Sequence, residues 1–99
     1  MFNDLVSVTE IKIYKIEKKD DGLIGFASCV LDGKFFLNGI GIYKKMYGDG
    51  YRITFPKRRD SMGKPKNIFV PVNDNIYRCV SEKIVKEFLE YDKNLSAID

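Results

Sequence analysis

The stretch Leu23-Ile24-Gly25-Phe26-Ala27-Ser28-Cys29-Val30-Leu31-Asp32-Gly33-Lys34-Phe35-Phe36-Leu37-Asn38-Gly39-Ile40-Gly41-Ile42-Tyr43-Lys44 decides the fold. Two apolar runs, Leu23–Leu31 and Lys34–Lys44, flank Asp32-Gly33. An Asp-Gly pair between such runs is a strong hairpin signal, because glycine takes positive φ at no steric cost. The two runs therefore read as neighbouring antiparallel strands. In the first, both parities are apolar or small: Gly25, Ala27 and Cys29 alternate with Ile24, Phe26 and Ser28. A strand of that kind is covered on both sides. A helix serves for one side, and the other calls for a second sheet or a second subunit, so a homodimer is the economical expectation. Asn38-Gly39 within the second run predicts a bulge or bend.

Outward from this hairpin the same punctuation continues. Asp21-Gly22 and Gly48-Asp49-Gly50 separate further apolar-rich runs, which predicts strands over Val8–Ile16, Tyr51–Phe55 and Ile68–Val72 as well. In Tyr51–Phe55, Tyr51, Ile53 and Phe55 share one side while Arg52 and Thr54 share the other, a half-buried strand with a basic outer face. Pro71 puts the last run at a sheet edge or at its end. From Asp74 to about Lys93 the period changes: Ile76, Val80, Ile84, Val85, Phe88 and Leu89 form one stripe. Asn73 or Asp74 can supply its N-cap oxygen. The expected architecture is an α+β domain over residues 1–99, an antiparallel β-meander of about five strands closed by a C-terminal amphipathic helix. Met1–Ser7 and Asn94–Asp99 read as frayed ends.

Composition narrows the function classes. The 99 residues are 44% hydrophobic and 31% charged, in the range of a folded globular chain. No apolar run approaches the roughly 20 residues of a membrane span. Met1-Phe2-Asn3-Asp4 offers neither a basic n-region nor a signal-peptide core, so a cytoplasmic protein without a membrane partner is expected. Cys29 and Cys79 read as core side chains, since a disulfide is uncommon in that compartment. Histidine is absent, which removes the commonest general base and the commonest zinc ligand together. Asp20, Asp21, Asp32 and Asp49 fall in separate turns, where such side chains cap backbone groups. Gly39-Ile40-Gly41 lacks a third glycine and opens no helix, so it is no nucleotide fingerprint. No catalytic residue, metal site, cofactor or small-molecule substrate is indicated, and no enzyme is expected.

Charge supplies the functional clue. Lys57-Arg58-Arg59-Asp60-Ser61-Met62-Gly63-Lys64-Pro65-Lys66 holds five basic residues and one acid, a local charge of +4 in a chain of net charge +3. The remainder sums to about −1, so this is a patch rather than a general basicity. A flexible basic loop suits a phosphate backbone, where many small Coulomb contacts add. Arg58 and Arg59 offer planar forks, while Lys57, Lys64 and Lys66 act as point charges. Arg52 and Arg78 are expected to assist. Tyr43 and Tyr47 are candidate stacking rings, whereas alternation sends Tyr51 and Phe55 to the core. DNA or RNA is the expected partner; the competing reading is an interaction module that holds an acidic protein on the same patch.

These residues also carry a resemblance. Val8-Thr9-Glu10-Ile11-Lys12-Ile13, then Gly25-Phe26-Ala27-Ser28 leading to Leu31-Asp32-Gly33-Lys34-Phe35, then Phe55-Pro56-Lys57-Arg58-Arg59, Gly63-Lys64 and Phe69-Val70-Pro71-Val72-Asn73 before an amphipathic helix, resemble the stage V sporulation protein G (SpoVG, septation regulator) family. The resemblance covers roughly Val8 to Tyr91. It implies a small homodimeric bacterial α+β protein that binds DNA and RNA and regulates gene expression, septation and sporulation. The family's proline-plus-basic signature falls on Pro56, Lys57 and Arg58, and its post-turn segment on Gly63 to Lys66. The hydroxyl residue common between the proline and the first basic residue is missing here, and the segment at Asn38-Gly39 also departs from the pattern.

Overall fold

The computed structural model describes residues 5–98. Its elements run β1 (Val8–Lys15), β2 (Leu23–Leu31), β3 (Phe35–Lys44), β4 (Tyr51–Thr54), β5 (Lys57–Arg59), β6 (Pro65–Asn67) and α1 (Asp74–Ile98). The first four strands pair consecutively as an antiparallel sheet of order β1-β2-β3-β4, and β5 and β6 form a separate two-stranded ribbon. The α+β meander with a closing helix is thus observed, with one change. Ile68–Val72 is not a strand. Its predecessors, Pro65–Asn67, pair back onto Lys57–Arg59, and Pro71 has no N–H to offer a ladder. The edge it would need on β4 is also engaged, because the Tyr77 hydroxyl accepts from the Ile53 N–H (3.3 Å) and donates to the Ile53 carbonyl (2.8 Å).

The Asp32-Gly33 hairpin forms as its sequence requires. Asp32 and Gly33 have φ of 53° and 65°, left-handed values that an Asp-Gly pair accepts at low cost, and the Lys34 N–H closes on the Leu31 carbonyl at 2.9 Å within a three-residue connection. Asp32 also clamps the entry to β1. Its carboxylate accepts from the Ser7 N–H, and its own N–H donates to the Ser7 carbonyl, both at 2.8 Å. Residues 1–4 and 99 lie outside the described residues. Within them, Val6 packs on the core and α1 continues to Ile98.

One face of the sheet makes the core. Val8, Ala27, Cys29, Leu31, Leu37, Ile40, Ile42 and Ile53 are buried together with Val80, Ile84 and Phe88 of α1. Asn73 caps that helix by accepting from the Ile76 N–H at 3.0 Å, and Asp74 in the first turn complements the helix dipole. Leu89, placed in the buried stripe by its spacing, is exposed; the buried row advances through Val80, Ile84 and Phe88 and leaves Leu89 on its margin. Asn38-Gly39 is the expected bulge: Ala27 faces Ile40 while Cys29 faces Leu37, so β3 carries one extra residue, and Gly39 has φ of 79°. Both cysteines are free, and burial pushes the Cys29 thiol pKa up.

The register also fixes the other face. Thr9, Val30 and Phe36 lie in one row, Tyr14, Phe26 and Gly41 in another, and Tyr43 and Arg52 in a third. None of these belongs to the buried core cluster. The second strand therefore has the helix on one side only.

The Tyr77 hydroxyl contact predicts a stability effect. Tyr77→Phe leaves a half-buried N–H and carbonyl of β4 without that partner, which is expected to cost about 1–3 kcal/mol. Urea denaturation should show an earlier midpoint with an unchanged m-value.

Candidate nucleic-acid interface

The basic segment is a structured hairpin. Lys57 faces Asn67, Arg58 faces Lys66 and Arg59 faces Pro65. Alternation then puts Arg58 and Lys66 on one side of the ribbon and Lys57 and Arg59 on the other, so cations are presented on both. Its tip is built around Asp60, the one acid of the segment. The Asp60 carboxylate accepts from the Met62 and Lys64 N–H groups at 2.9 Å each, and the Asp60 backbone exchanges bonds with Lys64 and Gly63. Gly63 takes φ of 80° to allow this. The Arg59 guanidinium donates to the Gly63 carbonyl at 2.7 Å. The expected flexible loop is thereby corrected, because Asp60 supplies the acceptors that a loop of this length would otherwise leave to water.

Lys57, Arg58, Arg59, Lys64 and Lys66 are all exposed. Their carboxylate neighbour does little to neutralise them. Among the described residues the ribbon's one ion pair is Lys66 with Asp60, at 4.0 Å. Arg58 and Lys66 stand directly opposite each other, a like-charge cross-strand pair that destabilises a ladder unless an anion screens it. The root of the ribbon is Pro56, which lies against Gly39: a Cβ there would come within 3.6 Å of the Pro56 Cβ.

The other candidate residues are placed elsewhere. Arg52 lies on the outer sheet face with its guanidinium 4.2 Å from the centre of the Tyr43 ring, so this tyrosine is stacked within the chain. Arg78 projects from α1 and lines, with Lys45, Arg52, Asp74 and Glu82, a depression to which the ribbon contributes nothing. The site therefore divides into a five-cation ribbon and a mixed-charge depression beside β4. Tyr47 is exposed between β3 and β4. Tyr51 packs on Phe88 with ring centres 5.9 Å apart, and Phe55 packs on Phe69 at 5.2 Å, so these rings serve the core. Three rings that the charge pattern does not single out, Tyr14, Phe26 and Phe36, are exposed instead. For Tyr14 the signal is the alternation of Lys12 and Tyr14 with Ile11 and Ile13.

No group of three His, Cys, Asp or Glu side chains suited to a metal ion occurs among the described residues. No helix among them is long and apolar enough to cross a membrane. The molecule is of the class of small α+β proteins in which one helix backs an antiparallel sheet and a cationic hairpin extends from the last sheet strand. The SpoVG family model matches residues 6–90, and the chain belongs to the SpoVG family. It is 28% identical over 86 residues to a protein of Borrelia garinii subsp. bavariensis, covering 85% of this chain and 87% of the relative. A protein of Borreliella afzelii matches with the same identity and coverage. One from Borrelia hermsii is 24% identical over 87 residues, covering 86% and 88%. All three carry the septation protein SpoVG name.

The tip geometry predicts a local effect. Asp60→Ala removes the acceptor of two backbone N–H groups, each worth about 1 kcal/mol. Amide exchange at Met62 and Lys64 should accelerate about fivefold or more, while the Ile40 and Ile42 amides keep their rates.

Proposed function

We propose that the chain is a homodimeric regulatory protein that binds DNA or RNA through the β5–β6 ribbon, and that it acts in the control of gene expression and septation. The observation that carries this reading is the facing pair Arg58 and Lys66 in a ribbon with five exposed cations and a single acid engaged in the turn. Such a ribbon gains stability as well as contacts when a phosphate chain screens it. The septation names of the relatives supply the process. Lys57, Arg58, Arg59, Lys64 and Lys66 hold phosphates; Arg52 and Arg78 act from beside β4.

The dimer reading is supported by Ile68–Val72. This segment alternates like a strand, with Phe69 packed inward on the core while Ile68, Val70 and Val72 are exposed. An extended run with exposed β-branched side chains is a candidate for pairing with a second copy. Light scattering should give twice the 11.4 kDa chain mass, and Val70→Asp should shift it to the single chain.

Salt dependence tests the nucleic-acid reading. With about five phosphates neutralised per protomer, log affinity should fall with log salt at a slope of about −4.5, and about twice that for a dimer engaged at both ribbons. Changing Lys57, Arg58 and Arg59 together to alanine should abolish binding at about 150 mM salt while the circular dichroism spectrum stays unchanged. A flat salt response would count against the proposal. Absence of any shift with either nucleic acid, together with nuclease-resistant capture of an acidic protein, would replace it.

A further inference from the structure

We infer that the outer face of the four-stranded sheet is a stacking platform for unpaired bases, which makes single-stranded nucleic acid the preferred ligand; this rests on the nucleic-acid reading above. The face is opposite α1, and among the described residues no helix is laid over it. Phe36 is 70% exposed, Tyr14 56% and Phe26 39%, although rings of that size are normally placed where they exclude water. The register sets Tyr14 directly beside Phe26, and Phe36 beside Val30. Phe26 and Val30 are four residues apart on β2, about 13 Å along the strand, which is room for two or three bases. Four-stranded antiparallel sheets with exposed rings bind RNA in that manner, stacking two or three bases on aromatic side chains.

Charge selects the occupant. Among the residues in paired register on this face there is no carboxylate, while Lys12 and Arg52 contribute two cations; Glu10 belongs to the bulge of β1, outside the pairing. A second copy laid on this face about a two-fold axis would bring these cations over a surface with no acid to receive them, which opposes association. A nucleic-acid strand offers both a flat apolar surface and a phosphate for each base. The Arg52 guanidinium, held over the Tyr43 ring, adds a further plane on which a base can stack. The ribbon is in reach of such a strand. Its root at Pro56 lies on Gly39, three positions along β3 from Phe36, so a chain that stacks on Phe36 continues onto Lys57 and Arg58. A duplex, whose bases are already stacked and paired, has only the ribbon to use.

The test uses the full chain, which contains no tryptophan, so Phe36→Trp installs a lone reporter on the face. Oligothymidine should quench its fluorescence, and a duplex of matched length should leave it unchanged. Phe26→Ala and Phe36→Ala should each weaken oligothymidine binding about five- to hundred-fold and alter duplex binding less than about twofold, with Phe36→Tyr close to the unmodified chain. If oligothymidine binds in a salt-sensitive, ribbon-dependent way but the reporter is silent and the alanine variants bind normally, the platform is overturned and the ribbon reading stands. If neither oligothymidine nor duplex binds, both readings fall. If Phe36→Ala halves the mass in light scattering and leaves oligothymidine binding intact, the face is a subunit contact and the inference is overturned.

Discussion

Burial on one side of a single sheet is the constraint from which the rest of this molecule follows. A chain of this size supports one core, and it lies between α1 and the inner sheet face, where Ile84 and Phe88 meet Ala27, Cys29, Ile40 and Ile42. The fit leaves no slack at Gly25. A Cβ there would come within 2.8 Å of the Tyr14 carbonyl oxygen and 3.5 Å of the Phe88 ring. With the one helix among the described residues committed to this side, no second helix remains to lie over the other. The exposed rings of the outer face are a direct result of that shortage.

Most of this arrangement was legible from residue order, because short-range rules decide it. Asp32-Gly33 specifies its turn by conformation alone, and Asn38-Gly39 marks its bulge for the same reason. The helix announced itself by period and by its Asn73 cap. What residue order did not disclose is where partners are decided by competition. Ile68–Val72 has the composition of a strand, yet its neighbours Pro65–Asn67 found pairing first and Tyr77 took the open edge of β4. Leu89 fits the apolar stripe by spacing alone, but the buried row runs through Val80, Ile84 and Phe88 and leaves it exposed. The five ribbon cations were evident as a cluster; that they stand on a paired hairpin depends on Asp60, whose turn role cannot be told in sequence from an ordinary surface acid. Arg78, expected to assist them, lies instead beside Asp74 and Glu82.

The ribbon also shows why charge and fold need not conflict here. Five cations on the sheet itself would have to be desolvated or paired. Carried on a hairpin outside the core, they remain hydrated, and only one cross-strand pair, Arg58 with Lys66, sets two of them face to face. Membership of the SpoVG family places this device in a protein group whose named relatives concern septation. Its physics is that of a local concentration of positive charge appended to a nearly neutral body.

The two borders of the sheet have a consequence for behaviour at high concentration. Bare strand borders invite indefinite polymerisation through backbone pairing, the route to fibres. On β4 the phenol of Tyr77 occupies the Ile53 amide and carbonyl. On β1 the irregular step between Thr9 and Lys12, with Glu10 at φ 50°, disrupts any regular template. With both borders of the four-stranded sheet blunted, open-ended growth by strand addition at β1 or β4 is disfavoured, and the adhesive character of an apolar sheet is left to its flat surface.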